Sequence, residues 1–201
     1  MSFTKKYDNI NDIIASYNQI SLLNYIKRHN LTESEIVNIF NSNINEIDEY
    51  ILRYDNCHPI QLIFALYYHY ENPSYDLMKI HYLYCIENYN STAMNNLGFY
   101  YQFTELDYEK SVLYYKMAIS YHNSSAMNNL AYYYEKKENN IEKAVHYYEM
   151  AIKAGNKDAL LNLSCLYYNQ NDIQNTKKYI DIAVKKGSIT QNTYFKIMNN
   201  L

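Results

Sequence analysis

Three glycines and two prolines in 201 residues supply too few turn formers for the many tight turns of a β-sandwich or barrel, so helices are expected throughout. Cysteine is equally scarce. Cys57, Cys85 and Cys165 are an odd number without paired spacing, which predicts no disulfide framework and fits a reducing compartment. Sequons such as Asn90-Ser91-Thr92 then carry no weight. The first twenty residues lack the apolar core of a signal peptide, and no later run approaches membrane-spanning length. The expectation is a cytoplasmic protein with no membrane partner. Basic excess is missing as well: the formal charge is -3, and residues 57–201 carry 13 basic and 13 acidic groups, which weighs against nucleic acid as a partner. There is no glycine-rich phosphate loop, nucleophile elbow, His-Glu-x-x-His or Cys-x-x-Cys, so the chain reads as no enzyme, with no cofactor, metal or catalytic residue.

What is present is apolar material and repetition. Apolar residues make up 48% of the chain and charged ones 19%, as in a folded protein. Twenty-seven tyrosines and no tryptophan, among many asparagines, isoleucines and lysines, carry the bias of an AT-rich genome. STAMNNLGFYY at 91–101 recurs as SSAMNNLAYYY at 124–134, an offset of 33 residues, and KDALLNLSCLYY from Lys157 is a third copy. Ala93, Ala126 and Ala159 fall in register, as do Leu97, Leu130 and Leu163. The second half repeats too: DYEKSVLYYKMAISYH at 107–122, NIEKAVHYYEMAIKAG at 140–155 and, after a one-residue loop deletion, DIQNTKKYIDIAVKKG at 172–187. A further 33-residue step back reaches IQLIFALYYHY at 60–70, where Phe64, Ala65 and Tyr68 stand for leucine, small residue and tyrosine.

Within a unit the spacing is helical, as in Ala126, Leu130, Tyr133 and Tyr134 or Ala144, Tyr147, Tyr148, Ala151 and Ile152. The loop KKENN at 136–140 is wholly polar, and Gly155 and Gly187 stand where a helix would end on a left-handed residue. Each unit therefore reads as helix, turn, helix, and neighbouring units must stack to bury both apolar faces. Leu130, Ala131, Tyr134, Ala144, Tyr148 and Ala151 resemble the tetratricopeptide pattern, while EKAVHYYEMAIKAGNKDA at 142–159 and NNLGFYY at 95–101 look more like Sel1-like repeats. The Gly-rich loop usual between the two Sel1 helices is missing, as are the tetratricopeptide tryptophan and terminal proline.

The resemblance implies an all-α fold: an α-solenoid of stacked antiparallel helix pairs, with about four 33-residue repeats at 57–90, 91–123, 124–156 and 157–188. Residues 1–56 are expected to be an N-terminal helical cap or degenerate repeat, with a capping box at Thr32 and Glu35 and an amphipathic stripe through Ile44, Ile47, Tyr50, Ile51 and Tyr54. Residues 189–201 are expected to form a C-terminal capping helix.

In the family the first helix of each pair lines a concave groove, so the resemblance implies a protein-protein interaction scaffold for a peptide or helix of a partner. Candidate contacts are Asn95, Asn96, Phe99 and Gln102 in one unit, Asn128, Asn129, Tyr132 and Glu135 in the next, and Leu161, Asn162, Cys165 and Tyr168 in the third. An amide offers donor and acceptor together, which suits a peptide backbone; the same asparagines also suit bonds to a neighbouring helix. Phe99, Tyr132 and Cys165 suit either a partner's side chains or core packing. Self-association through tyrosine-rich faces is the alternative reading, and an RNA-binding helical repeat a third, disfavoured by charge. His81 and Cys85, four apart, have zinc-ligand spacing, but the register sets them where other units have Tyr114 and Ala118, as core substitutions.

Overall fold

The computed structural model describes residues 73–190 without a break, together with 32, 34, 61–62, 65–71 and 193–194. Glu35 of the capping box, the stripe from Ile44 to Tyr54, Cys57, Phe64 and most of 189–201 lie outside the described residues. The chain divides into two compact units, Met1–Ala93 and Met94–Leu201. In the first, a π-helical turn Tyr67–Glu71 precedes helix α1 (Tyr75–Glu87), and α2 (Ser91–Tyr100) begins before the boundary. The second continues with a π-helical turn Tyr101–Glu105, then α3 (Tyr108–Ser120), α4 (Ser124–Lys136), α5 (Ile141–Lys153), α6 (Asp158–Asn169) and α7 (Ile173–Lys185). In this second unit α4 packs on α5 and α6 on α7 as helix hairpins, with α3 against α4 and α5 against α6 between hairpins. The fold is all-α and of the solenoid type that the repeat predicts, with no strand among the described residues.

Short polar side chains start the helices. The carboxylates or amides of Asp107, Asn140 and Asp172 accept from the backbone N–H groups of Lys110, Lys143 and Asn175, each at 3.0 Å, at the heads of α3, α5 and α7. Asn90, Asn123 and Asn156 do the same for Ala93, Ala126 and Ala159 in α2, α4 and α6. Each such bond satisfies a donor that the first helical turn would leave unpaired, and its loss costs about 1 kcal/mol.

Left-handed residues stop them. Tyr89, His122, Gly155 and Gly187 have φ of 62°, 59°, 88° and 67°, and the N–H groups there and one residue on bond back to the preceding helix, as in His122 to Ile119 O (2.8 Å) and Asn123 to Ala118 O (3.1 Å). The two glycines match the expected helix ends. At Tyr89 and His122 a side chain accepts the same conformation at a steric cost of roughly 1–2 kcal/mol. Asn123 thus closes α3 with its backbone and opens α4 with its side chain, so the junction spans only three residues.

The positions that repeat in the sequence are the core. Leu97, Leu130 and Leu163, and Ala118, Ala151 and Ala183, are fully buried. Rings stack in parallel at equivalent places: Tyr101 on Tyr114, Tyr134 on Tyr147 and Tyr167 on Tyr179, with centroids 5.5–5.6 Å apart. In the first unit Tyr68 stacks on His81 in the same way, at 5.6 Å and 3°. Gly98 fits where other repeats carry Ala131 and Ser164, because a Cβ there would lie 2.8 Å from the buried Tyr115 ring and 3.2 Å from Ser111 O.

Two outcomes are expected. Gly98→Ala should lower stability by about 1–3 kcal/mol in urea denaturation, although alanine is the better helix former, because the Tyr115 ring and the α3 backbone are both in its way. Burial lowers the His69 imidazole from its ordinary 6.5 to about 4, so the folded state favours the neutral ring while the unfolded chain takes up a proton near 6.5. Stability should therefore be full above pH 6.5 and fall as pH drops toward 4, by on the order of 2 kcal/mol. A His69→Gln variant, measured across the same range, should lack that part of the slope.

Candidate partner-binding face

The first helices α2, α4 and α6 carry the sequence-derived candidates, and the structure sorts them into two layers. Phe99 and Tyr132 are each 38% exposed and Tyr168 50%, with Cys165 also exposed. Asn128, Asn129, Glu135, Leu161 and Asn162 are half-buried, whereas Asn95, Asn96 and Gln102 are buried. The outer layer gains a residue that sequence reasoning missed. Phe103, 47% exposed, lies 4.5 Å from the Phe99 ring and 6.3 Å from the Tyr132 ring, and so bridges two repeats. It sits in the π-helical turn Tyr101–Glu105, and its register positions elsewhere are Lys136 and Asn169, so the repeat gave it no mark.

Beneath the rings the asparagines bond one another from helix to helix. Asn129 Nδ2 donates to Asn95 Oδ1 at 3.0 Å, and Asn162 Nδ2 donates to Asn128 Oδ1 at 2.9 Å, each reaching 34 residues back. Asn95 in turn donates to Asn96 Oδ1 at 3.3 Å. Of the two roles open to these amides, bonding to the neighbouring helix is the one observed. The ladder holds α2, α4 and α6 in register and fixes the spacing of the rings above it. Asn96 Nδ2 is buried without an acceptor among the described residues; in the repeat register Leu62 stands where Asn95 and Asn128 supply theirs.

Gln102 and Glu135 serve a second internal bond. Tyr115 donates its hydroxyl to Gln102 Oε1 and Tyr148 to Glu135 Oε2, both at 2.9 Å, and in the first unit the Tyr82 hydroxyl lies 3.2 Å from His69 Nδ1 at the equivalent place. A buried phenol needs an acceptor. Where the tyrosine gives way to Ile180, the acceptor position becomes Tyr168. Glu135 also pairs with Lys136, whose ammonium is held above its ordinary pKa chiefly by that hydrogen bond. The exposed surface here is thus aromatic, with the adjacent Glu135 and Lys136 charges paired.

His81 and Cys85 both lie in the core. His81 stacks on Tyr68 and bonds through Nδ1 to Gln61 Oε1, and burial pushes the Cys85 thiol up to about 12. Among the described residues no three His, Cys, Asp or Glu side chains are placed to hold a metal, and no helix is long and apolar enough to cross a membrane.

Comparison with known proteins agrees with this architecture. The family model for the Sel1 repeat matches residues 91–120 and 124–156. Among solved structures the chain is similar to a protective antigen present in uropathogenic Escherichia coli strains and displaying an SLR (Sel1-like repeat) fold, with a TM-score of 0.55 and 24% identity. That likeness covers 65% of this chain and 31% of the antigen's, and at such identity it is a likeness of fold. No curated protein matches.

The ladder predicts a measurable coupling. In a double-mutant cycle of Asn128→Ala and Asn162→Ala, followed by urea denaturation, the pair should show a coupling energy of about 1 kcal/mol. The same cycle on Asn128 and Asn129, which share no bond, should show none beyond error.

Proposed function

We propose that this chain, a Sel1-like repeat protein over residues 91–156, is a scaffold that takes an extended segment or a helix of a partner protein across the exposed rings of its first helices. Repeat proteins of this kind are generally protein-interaction scaffolds. The observation that carries the reading is the run Phe99, Phe103 and Tyr132, three contacting exposed rings from two successive repeats, standing on a ladder of amide bonds. Rings of this size contribute most of the energy of many protein interfaces, and a rigid base spares the ordering cost on binding. Cys165 and Tyr168 extend the same face into the next repeat. Self-association is the second reading, and Leu77, Ile80 and Leu83, all exposed on α1, favour it.

A triple variant, Phe99→Ser, Phe103→Ser and Tyr132→Ser, tests the scaffold. Its helical circular dichroism should match wild type, because all three side chains are already exposed, while a protein captured by wild type from native cells should be lost. Retention of every captured protein by the folded variant would move binding elsewhere. Capture of the chain alone, with a sedimentation mass that grows with concentration, would favour self-association.

A further inference from the structure

A partly open cavity of about 430 Å³ lies in the second unit between α3, α4 and α5, and none of the exposed rings Phe99, Phe103 and Tyr132 lines it. Tyr134 and Tyr147, stacked at 5.5 Å, form part of its lining, with Lys116, Lys143, His146 and one acidic group, Glu142. Lys143 holds its ammonium 4.9 Å from the centre of the Tyr134 ring. Lys116 is exposed and forms no ion pair with any described residue. The Tyr147 hydroxyl makes no hydrogen bond to any described residue either.

The chain contains its own comparison for this place. One repeat on, Glu149 of α5 stands at the register position of Lys116, Tyr167 at that of Tyr134, and Tyr179 at that of Tyr147. Tyr167 and Tyr179 stack just as their counterparts do, at 5.6 Å and 11° against 5.5 Å and 11°. At that junction the Tyr179 hydroxyl donates to the Glu149 carboxylate at 2.8 Å. At these two junctions, out of three with the stacked pair, the same ring pair presents the same hydroxyl. At one junction an internal carboxylate accepts from it, and at the other a lysine replaces that carboxylate and reverses the charge. Burial, followed by the nearby Tyr134, holds the Tyr147 phenol above its ordinary pKa.

We propose that the cavity beside Tyr147 binds a carboxylate side chain of an acidic partner segment, which takes the part that Glu149 plays toward Tyr179. Tyr147 donates its hydroxyl, while Lys116 and Lys143 supply the positive charge that outweighs Glu142. A neutral acceptor would leave Lys116 unused, and a cation would meet two ammonium groups. The assignment shares no residue with the first-helix face and stands or falls apart from it.

The test uses the full chain and fluorescein-labelled hexaglutamate, followed by fluorescence anisotropy at low and physiological salt. Wild type should bind with salt-sensitive affinity, and Lys116→Glu and Tyr147→Phe should each weaken binding about tenfold, the loss expected for one charge-assisted hydrogen bond. Lys116→Glu also has a readout that needs no ligand: it supplies the carboxylate in cis, as at the next junction, and should raise Tm. Equal binding by all three folded proteins, no binding by wild type, or a lower Tm for Lys116→Glu would overturn the proposal. Displacement of the peptide by inorganic phosphate at concentrations where acetate has no effect would overturn the choice of a carboxylate.

Discussion

A polar group taken out of water must find a partner, and in a chain so rich in tyrosine and asparagine that requirement shapes most of the architecture. Stacking helix pairs buries rings and amides together with the leucines and alanines. Two of the most deeply buried phenols each find an acceptor thirteen residues back on the other helix of the pair, Tyr115 at Gln102 and Tyr148 at Glu135. Amides on the first helices find a partner one repeat away, as Asn162 does with Asn128 and Asn129 with Asn95. The first kind of bond sets the geometry of a hairpin and the second sets how hairpins follow one another. Apolar packing supplies the driving force, but it would tolerate small slips that these bonds do not.

The repeat was the legible part of the sequence. A 33-residue offset, the recurring alanines and leucines, and glycines at two helix ends suffice to place the hairpins in 91–187, because burial and helical spacing act on side chains of recognisable type. Asn96, Asn129 and Asn162 were also visible as a series, yet two roles fitted them, since an amide that bonds a ligand and one that bonds a helix look the same in a string of letters. The distances from Asn129 to Asn95 and from Asn162 to Asn128 are what make the helix-to-helix role visible. Phe103 was hidden for another reason: a π-helical turn changes which residues share a face, and nothing in YQFTE announces it. Tyr89, His122 and Leu106, with φ of 62°, 59° and 58°, take left-handed backbone that sequence preference assigns to glycine or asparagine. Their places are set by the register of their neighbours.

Internal repetition also makes the chain its own control. Where one copy departs from another, the change has a physical counterpart nearby: Ile180 appears with Tyr168, and Gly98 appears where the Tyr115 ring comes close. The exchange of Glu149 for Lys116 is different in kind, because it alters charge at a cavity and leaves a phenol without an internal acceptor.

The junctions built on Asn90, Asn123 and Asn156 restrict how such a molecule can change in length. One side chain there starts a helix while the same residue's backbone ends the previous one, so an insertion or deletion would separate two functions that a single residue performs. Inside the hairpins Asn140 and Asp172 do the same, bonding back to Tyr134 O and Tyr167 O while capping α5 and α7, and the one-residue deletion between α6 and α7 leaves that arrangement intact. Each of these turns is thus closed and reopened by one residue, so length can vary only in the residues ahead of each cap, and the array as a whole lengthens in discrete steps of one helix pair.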